Sequence, residues 1–274
     1  MRAVFFVLLA GALSAQVEPP HVSGQAVTAA FEGWYANADG TSTILIGYYN
    51  RNLKEALEIP VGPNNRVEPG GPDRGQPTHF LPGRQWGVFT ITVPKNFGEQ
   101  QKLTWTIVAN GKTTSIPFSL NPLWVISPFI EAAGNTPPFL GFAETGPFVQ
   151  GPPRGIAQSL DASVGAPLPL NVWVSDDAKV PPPFAAYAAM IPMVSLTWMK
   201  FRGPGDVKFS SEKPKVAKAP FKAEGAYTGK SSATATFSAP GDYLLEVTAN
   251  DISGVGGGGF QCCWTSAQVK VTVK

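Results

Sequence analysis

The sequence predicts an all-β chain: two β-sandwiches in tandem behind a signal peptide. Three observations carry this. Gly (29) and Pro (27) are dense among the 274 residues, and at that density they break long helices. Hydrophobic residues make up 43% and aromatics 11%, enough for a packed core and against wholesale disorder. Apolar residues recur at every second position in short runs bounded by turn residues, the pattern of half-buried strands. The length suits one large or two ordinary β-domains.

The chain opens Met1-Arg2, follows with an apolar run from Ala3 to Leu13, and then reads Ser14-Ala15-Gln16. One positive charge, a short apolar stretch and small residues before a polar start describe a signal peptide. Cleavage is expected after Ala15, although Leu13 is not ideal at the third position before that cut. The run falls short of the roughly 20 residues that span a bilayer, and no second run of spanning length appears. With no Cys directly after it, bacterial lipidation is not expected. The mature chain is therefore expected to be exported: periplasmic, at the cell surface or extracellular. The expected organisation is a signal peptide at 1–15, a first sandwich at 16–126, a linker at 127–136 and a second sandwich at 137–274.

Residues 16–30 read as an exposed lead-in, and from Phe31 the pattern becomes strand–turn–strand. Strands are predicted at Thr43–Tyr49, after the turn signal Asn37-Ala38-Asp39-Gly40, and at Ala56–Val61. Residues 62–84 hold so much Pro and Gly that a long ordered loop or two very short strands are expected. Gly87–Val93 alternates, with Phe89, Ile91 and Val93 on one face. Leu103, Trp105, Ile107 and Ala109 alternate again. Asn110-Gly111 is a hairpin signal that returns through Ile116, Phe118 and Leu120. The second unit begins with a short strand ahead of the turn Gly151–Gly155. It then alternates at Leu168–Val174, Val194–Phe201, Ala233–Phe237, Tyr243–Ala249 and Val269–Val273. Trp198 is expected in its core.

The second unit resembles the PKD/bacterial Ig-like superfamily. The residues that carry this are Leu196-Thr-Trp-Met-Lys-Phe-Arg-Gly-Pro-Gly205 and Ala233–Asn250, followed by Asp251. In such domains a Trp strand runs into a Gly-Pro-Gly turn, and a Pro-Gly-x-Tyr corner leads into the penultimate strand. The likeness covers roughly residues 160–274 and implies an Ig-like fold. It says little of function. The insert Gly254–Trp264 and the Pro- and Ala-rich stretch Pro181–Pro192 depart from the pattern. The first unit, through Phe31-Glu-Gly-Trp-Tyr35 and Gly75-Gln-Pro-Thr-His-Phe-Leu-Pro-Gly83 among others, resembles the N-terminal part of secreted bacterial two-domain proteins, which implies no activity.

Charge narrows the partners. The net charge is +2, without the basic stripe that nucleic acid requires. The densest group, Lys208, Lys213, Lys215, Lys218 and Lys222, is interspersed with Glu212 and Glu224 and reads as a solvated loop. Only His21 and His79 are present, and no zinc-protease, nucleophile-elbow or P-loop motif occurs. Cofactors are not expected. A Cys–His dyad would need Cys262 or Cys263 beside His79, which nothing in the sequence arranges. A hydrolase built on a carboxylate pair stays open, because sequence does not display spatial neighbours. Asp176, Asp177 and Asp251 each follow a predicted strand and could meet at one end of the second sandwich. Hard oxygen ligands suit Ca²⁺, and turn capping explains the same residues.

The most informative local feature is Gly254–Trp264, GVGGGGFQCCW. Cα atoms of adjacent residues lie about 3.8 Å apart across a trans peptide, short of the roughly 4.4–6.8 Å of ordinary disulfides. A Cys262–Cys263 bridge is thus expected to be strained. Two free thiols, or bridges to another chain, are the alternatives. Extending the last strand's alternation backwards turns Cys263 to the core and Phe260, Cys262 and Trp264 outward. That would be an apolar patch able to bind protein or stack on sugar. Alternatively the loop folds back and these rings cover the sandwich end. Tyr48 and Tyr49 must face opposite ways on one strand, so Tyr49 beside Arg51 is a second candidate surface. The leading expectation is a non-enzymatic binding or structural module acting on a protein partner or on copies of itself. A carbohydrate-binding module using Phe260 and Trp264 is the alternative, and a hydrolase the third.

Overall fold

The computed structural model describes residues 21–259 and 262–274, so the segment 1–15 expected to be a signal peptide and Phe260 lie outside the described residues. The first unit contains Val27–Ala36 (β1), Ser42–Asn50 (β2), Leu57–Glu58 (β3), Asn65–Glu68 (β4), His79–Phe80 (β5), Gly83–Val93 (β6), Leu103–Ala109 (β7) and Lys112–Phe118 (β8). The second contains Phe139–Gly141 (β9), Phe148–Val149 (β10), Ile156–Ala162 (β11), Leu168–Asp176 (β12), Ser195–Arg202 (β13), Val207–Phe209 (β14), Ala217–Lys218 (β15), Tyr227–Phe237 (β16), Gly241–Asn250 (β17) and Trp264–Val273 (β18).

In the first unit the sheets β1-β2-β6 and β4-β7-β8 enclose Ile44, Ile46, Phe89, Ile91, Trp105 and Phe118. The alternation of β6 and β7 puts those side chains on one face each, as expected of strands with one face on a core. Asn110 and Gly111 both take positive φ (49° and 72°), the conformation a tight hairpin turn demands. The lead-in reading fails at its end. Val27 and Ala29 are core residues of β1, whose pairing starts at Val27↔Asn50. Such small side chains give little periodic signal, and β1 is secured by its partner strand rather than by its own pattern. Of the strand predicted at Ala56–Val61, only β3 forms.

In the second unit the sheet β10-β9-β12-β16-β14, with β15 also on β16, faces the sheet β11-β18-β17-β13. Between them lie Val172, Val174, Leu196, Trp198, Phe237, Leu245 and Val269, so Trp198 is a core residue. β11 runs parallel to β18, a pairing that the exposed, weakly patterned sequence Ile156–Ala162 did not announce. The Gly-Pro-Gly turn has a physical reason. Gly203 sits at φ 149°, and a side chain there or at Gly205 would strike the Tyr243 ring or hydroxyl. Tyr243 Oη in turn donates to the Ala239 carbonyl (2.8 Å), a corner typical of Ig-like sandwiches. The five clustered lysines are all exposed.

β13 joins the two cores. Leu196 and Trp198 point into the second cluster, whereas Met199 and Phe201 belong to the first. Around this strand Lys200 Nζ donates to Glu58 Oε1 (2.6 Å), and His79 Nδ1 lies 2.7 Å from the same oxygen. Arg202 pairs with Asp73 through two bonds of 2.8 and 3.0 Å. The Thr78 amide donates to the Phe201 carbonyl (3.1 Å).

Candidate functional site

The described parts of this loop, Gly254–Gly259 and Cys262–Trp264, fold back against the sandwiches. Trp264 is 3% exposed, and Cys262 and Cys263 are buried as well. The outward patch expected of Cys262 and Trp264 is therefore corrected. The register was extended as if the second face of β18 met solvent, but the first unit covers that face. The Trp264 indole rests on Gly87, where a Cβ would stand 2.7 Å from Nε1, and Gly256 rests in the same way on the Trp86 indole. The glycines serve close approach: a side chain at Gly257 would collide with the Cys262 carbonyl. Cys262 and Cys263 are bridged to each other across a cis peptide, which removes the thiol a Cys–His dyad needs. Alkylation of the denatured, unreduced protein is expected to add no label, and two labels after reduction, read by intact mass.

Trp264 lines a cavity of about 370 Å³ between the units, together with Arg84, Trp86, Trp198 and Asn250. Its indole N–H is buried and has no partner among the described residues. Arg84 stacks 4.0 Å from the centre of the Trp86 ring and donates to Glu32 Oε1 (2.8 Å). Both Glu32 oxygens also accept from the Gly87 amide (3.0 Å each). Burial raises the Glu32 pKa more than Arg84 and this amide lower it.

The acids named from sequence gather at one end of the second sandwich. Asp176 Oδ1 accepts from the Ala178 amide, Asp177 Oδ1 from Lys179 and Asp251 Oδ1 from Ser253, each at 2.9 Å. Each thus caps its own turn two residues on. Asn135 Nδ2 donates to Asp251 Oδ2 (2.5 Å). Burial, with Asp177 and Asp251 adding repulsion, pushes Asp176 up to about 7. Among the described residues no three Asp, Glu, His or Cys side chains converge to hold a metal.

Tyr48 is buried and Tyr49 is 43% exposed, as strand alternation requires, with the Arg51 guanidinium 5.7 Å from the Tyr49 ring centre. Two features escaped the sequence reading. One is the run Leu123, Trp124 and Val125, exposed by 89%, 52% and 55%, on a 3-10 turn at Pro122–Trp124 capped by the Asn121 side chain. The sequence reading places this run at the end of the first sandwich, beside the linker at 127–136, with no role for it; the apolar triplet is the available signal. The other is an open cleft of about 760 Å³ lined by Tyr35, Thr43, Thr92, Phe129 and Arg154. These come from remote segments, so no local motif announces it.

Against this geometry, comparison with known proteins gives a fold likeness only. No family model matches the chain, and no curated protein sequence matches it. Domains 4 and 5 of the S-layer protein SbsC align over 63% of this chain and 65% of their own length, just under two thirds, at 11% identity and TM-score 0.26. The D00-D0 domain of intimin aligns over 91% and 100%, at 8% identity and TM-score 0.27. The Yersinia pseudotuberculosis adhesin InvE aligns over 92% and 60%, at 12% identity and TM-score 0.23.

Proposed function

We propose that the chain is an exported, non-enzymatic binding or structural module that acts by protein–protein recognition at the cell envelope or outside the cell. The observation that carries this is the apolar ridge Leu123-Trp124-Val125. Scattered exposed apolar side chains are ordinary on protein surfaces, but three in succession on a capped turn form a contiguous patch of the kind protein partners bury. The ridge is held rigid: Trp124 packs on the Phe31 ring at 5.7 Å, and the Ile126 amide donates to the Trp34 carbonyl (2.9 Å). It stands beside the segment 127–136 proposed as the inter-domain linker, where a partner would touch both sandwiches. Tyr49 with Arg51 offers a second outward aromatic.

Export is supported by the Met1–Gln16 pattern, and among the described residues no helix is long and apolar enough to cross a membrane. The absence of catalysis is supported by burial. Two acids with raised pKa values, Asp176 at about 7 and Glu246 at about 8, are 1% and 2% exposed and offer a substrate no open face.

The test is cross-linking in the native envelope and medium followed by sedimentation of the purified mature chain. A stoichiometric protein partner or self-assembly is expected. Leu123→Asp is expected to weaken it at least tenfold with an unchanged melting temperature, because Leu123 makes almost no buried contact. A wild-type chain that runs alone in every fraction would sink the reading.

A further inference from the structure

The open cleft lined by Tyr35 and Arg154 carries a second, independent binding assignment. Its floor is a stack of three side chains from three segments. The Phe129 ring meets the Tyr35 ring edge-on at 5.4 Å, and the Arg154 guanidinium lies 5.0 Å from the centre of the Phe129 ring. A side chain at Gly151 would strike Phe129, so the ring is clamped from behind.

Two groups in this stack lack partners. Tyr35 is 5% exposed, yet among the described residues its hydroxyl has no partner at hydrogen-bond distance and angle. Burial raises its pKa, and the Arg154 guanidinium and the Thr43 hydroxyl, which face it, pull in the opposite direction. A buried hydroxyl left so is unfavourable, and a ligand oxygen would satisfy it. Arg154 is exposed and, among the described residues, pairs with no carboxylate. Arg66, Arg84 and Arg202 each do. The one acid on the rim, Asp39, is already engaged: its Oδ1 accepts from the Thr41 amide (2.9 Å) and hydroxyl (2.6 Å), and Lys95 lies close enough to lower its pKa. The cleft therefore presents one uncompensated cation beside a free phenol.

The wall beside them is a polyol-like surface. Asn37 Nδ2 donates to the Thr41 and Thr43 hydroxyls (2.9 and 2.8 Å). Thr43 Oγ1 lies 3.3 Å from Thr92 Oγ1. On this wall Thr92 is exposed and Thr41 and Thr90 are half-buried, so their oxygens can exchange hydrogen bonds with the hydroxyls of a sugar, while Thr43 itself is buried. A planar guanidinium with a phenol donor suits an anionic oxygen pair.

We propose that this cleft binds an anionic saccharide, its carboxylate or sulfate taken by Arg154 and the Tyr35 hydroxyl and its hydroxyls by the threonine row of β2 and β6. This site lies apart from the Leu123 ridge and does not depend on it.

Isothermal titration of the full mature chain tests it with four probes of similar length: an oligogalacturonate, a sulfated dextran oligosaccharide, a neutral cello-oligosaccharide and an oligoglutamate. Binding to at least one acidic saccharide is expected, and none to the neutral one. Preference between the first two tells carboxylate from sulfate. Arg154→Ala should weaken that binding at least tenfold without lowering the melting temperature, since the side chain is exposed. Tyr35→Phe, which keeps the ring in place, should weaken it several-fold. Leu123→Asp should leave it unchanged. No binding to either acidic saccharide, equal binding to the neutral one, stronger binding to oligoglutamate, or an Arg154→Ala chain that binds as well as the wild type would each overturn the assignment.

Discussion

Phe201→Ala is expected to cost about 3–5 kcal/mol, the range for a fully buried aromatic, and to lower one unfolding transition rather than one of two. Phe201 belongs to β13, a strand of the second sandwich, yet its side chain is sealed in the core of the first. Two residues earlier, Met199 joins the same core, while Trp198 points into the other. The strand thus serves as a wall of both cores. The buried Lys200 adds to the coupling. It crosses to Glu58, which His79 also contacts, and these two partners hold the Glu58 pKa down against its own burial. Removing one partner of such a pair leaves a charge poorly compensated. Calorimetry decides between the outcomes. A mutant that loses a first transition while a second stays at the wild-type temperature would mean that the two sandwiches, proposed as domains 16–126 and 137–274, fold independently.

Glu246→Gln is expected to stabilise the protein at pH 8 and to do little at pH 5. Glu246 is buried on β17, and its carboxyl receives one bond, from Gln268 Nε2 (3.2 Å). Burial pushes its pKa up to about 8. The folded state therefore holds a proton that the unfolded chain releases above about 4.5. Between those values the native state binds more protons than the unfolded one, so stability falls as pH rises. Asp176, at about 7, acts in the same direction over the lower part of that window. Each group contributes a slope on the order of 1 kcal/mol per pH unit while only its unfolded form is ionised. Glu58 and Asp73, whose pKa values are lowered, are ionised in both states throughout this window and do not offset it. The wild type should melt higher at pH 5 than at pH 8, and Glu246→Gln should flatten that difference. An unaltered pH profile in the variant would show that Glu246 is hydrated and ionised in the native state.

How much of this was legible beforehand follows the range of the interactions. Strands whose faces divide between core and solvent were read closely: β6, β7, β12 and β17 carry alternating large apolar residues, and a period of two is a local property. The first half of β1 and all of β11 are not legible, because Val27, Ala29 and the exposed residues of Ile156–Ala162 carry little of it. For Trp264 the sequence leaves an outward patch and a folded-back loop both open, for another reason. Alternation tells which side of a strand a residue occupies, but not what lies on that side. Turn capping by Asp176, Asp177 and Asp251 is legible from their places after strands, whereas which backbone amides they accept from is set by the folded loops.

By itself, then, the sequence determined an all-β chain, the core faces of its longer strands, the Ig-like corner at Tyr243 and the adjacency of the two cysteines, because each is written within a few residues of chain. The tertiary structure decided the rest. It brought Lys200 to Glu58, Trp264 onto Gly87, and Phe129 and Arg154 to Tyr35. Those partners lie far apart in sequence. Their contacts are settled by which sheet face covers which, a condition that leaves no periodic trace in either segment alone.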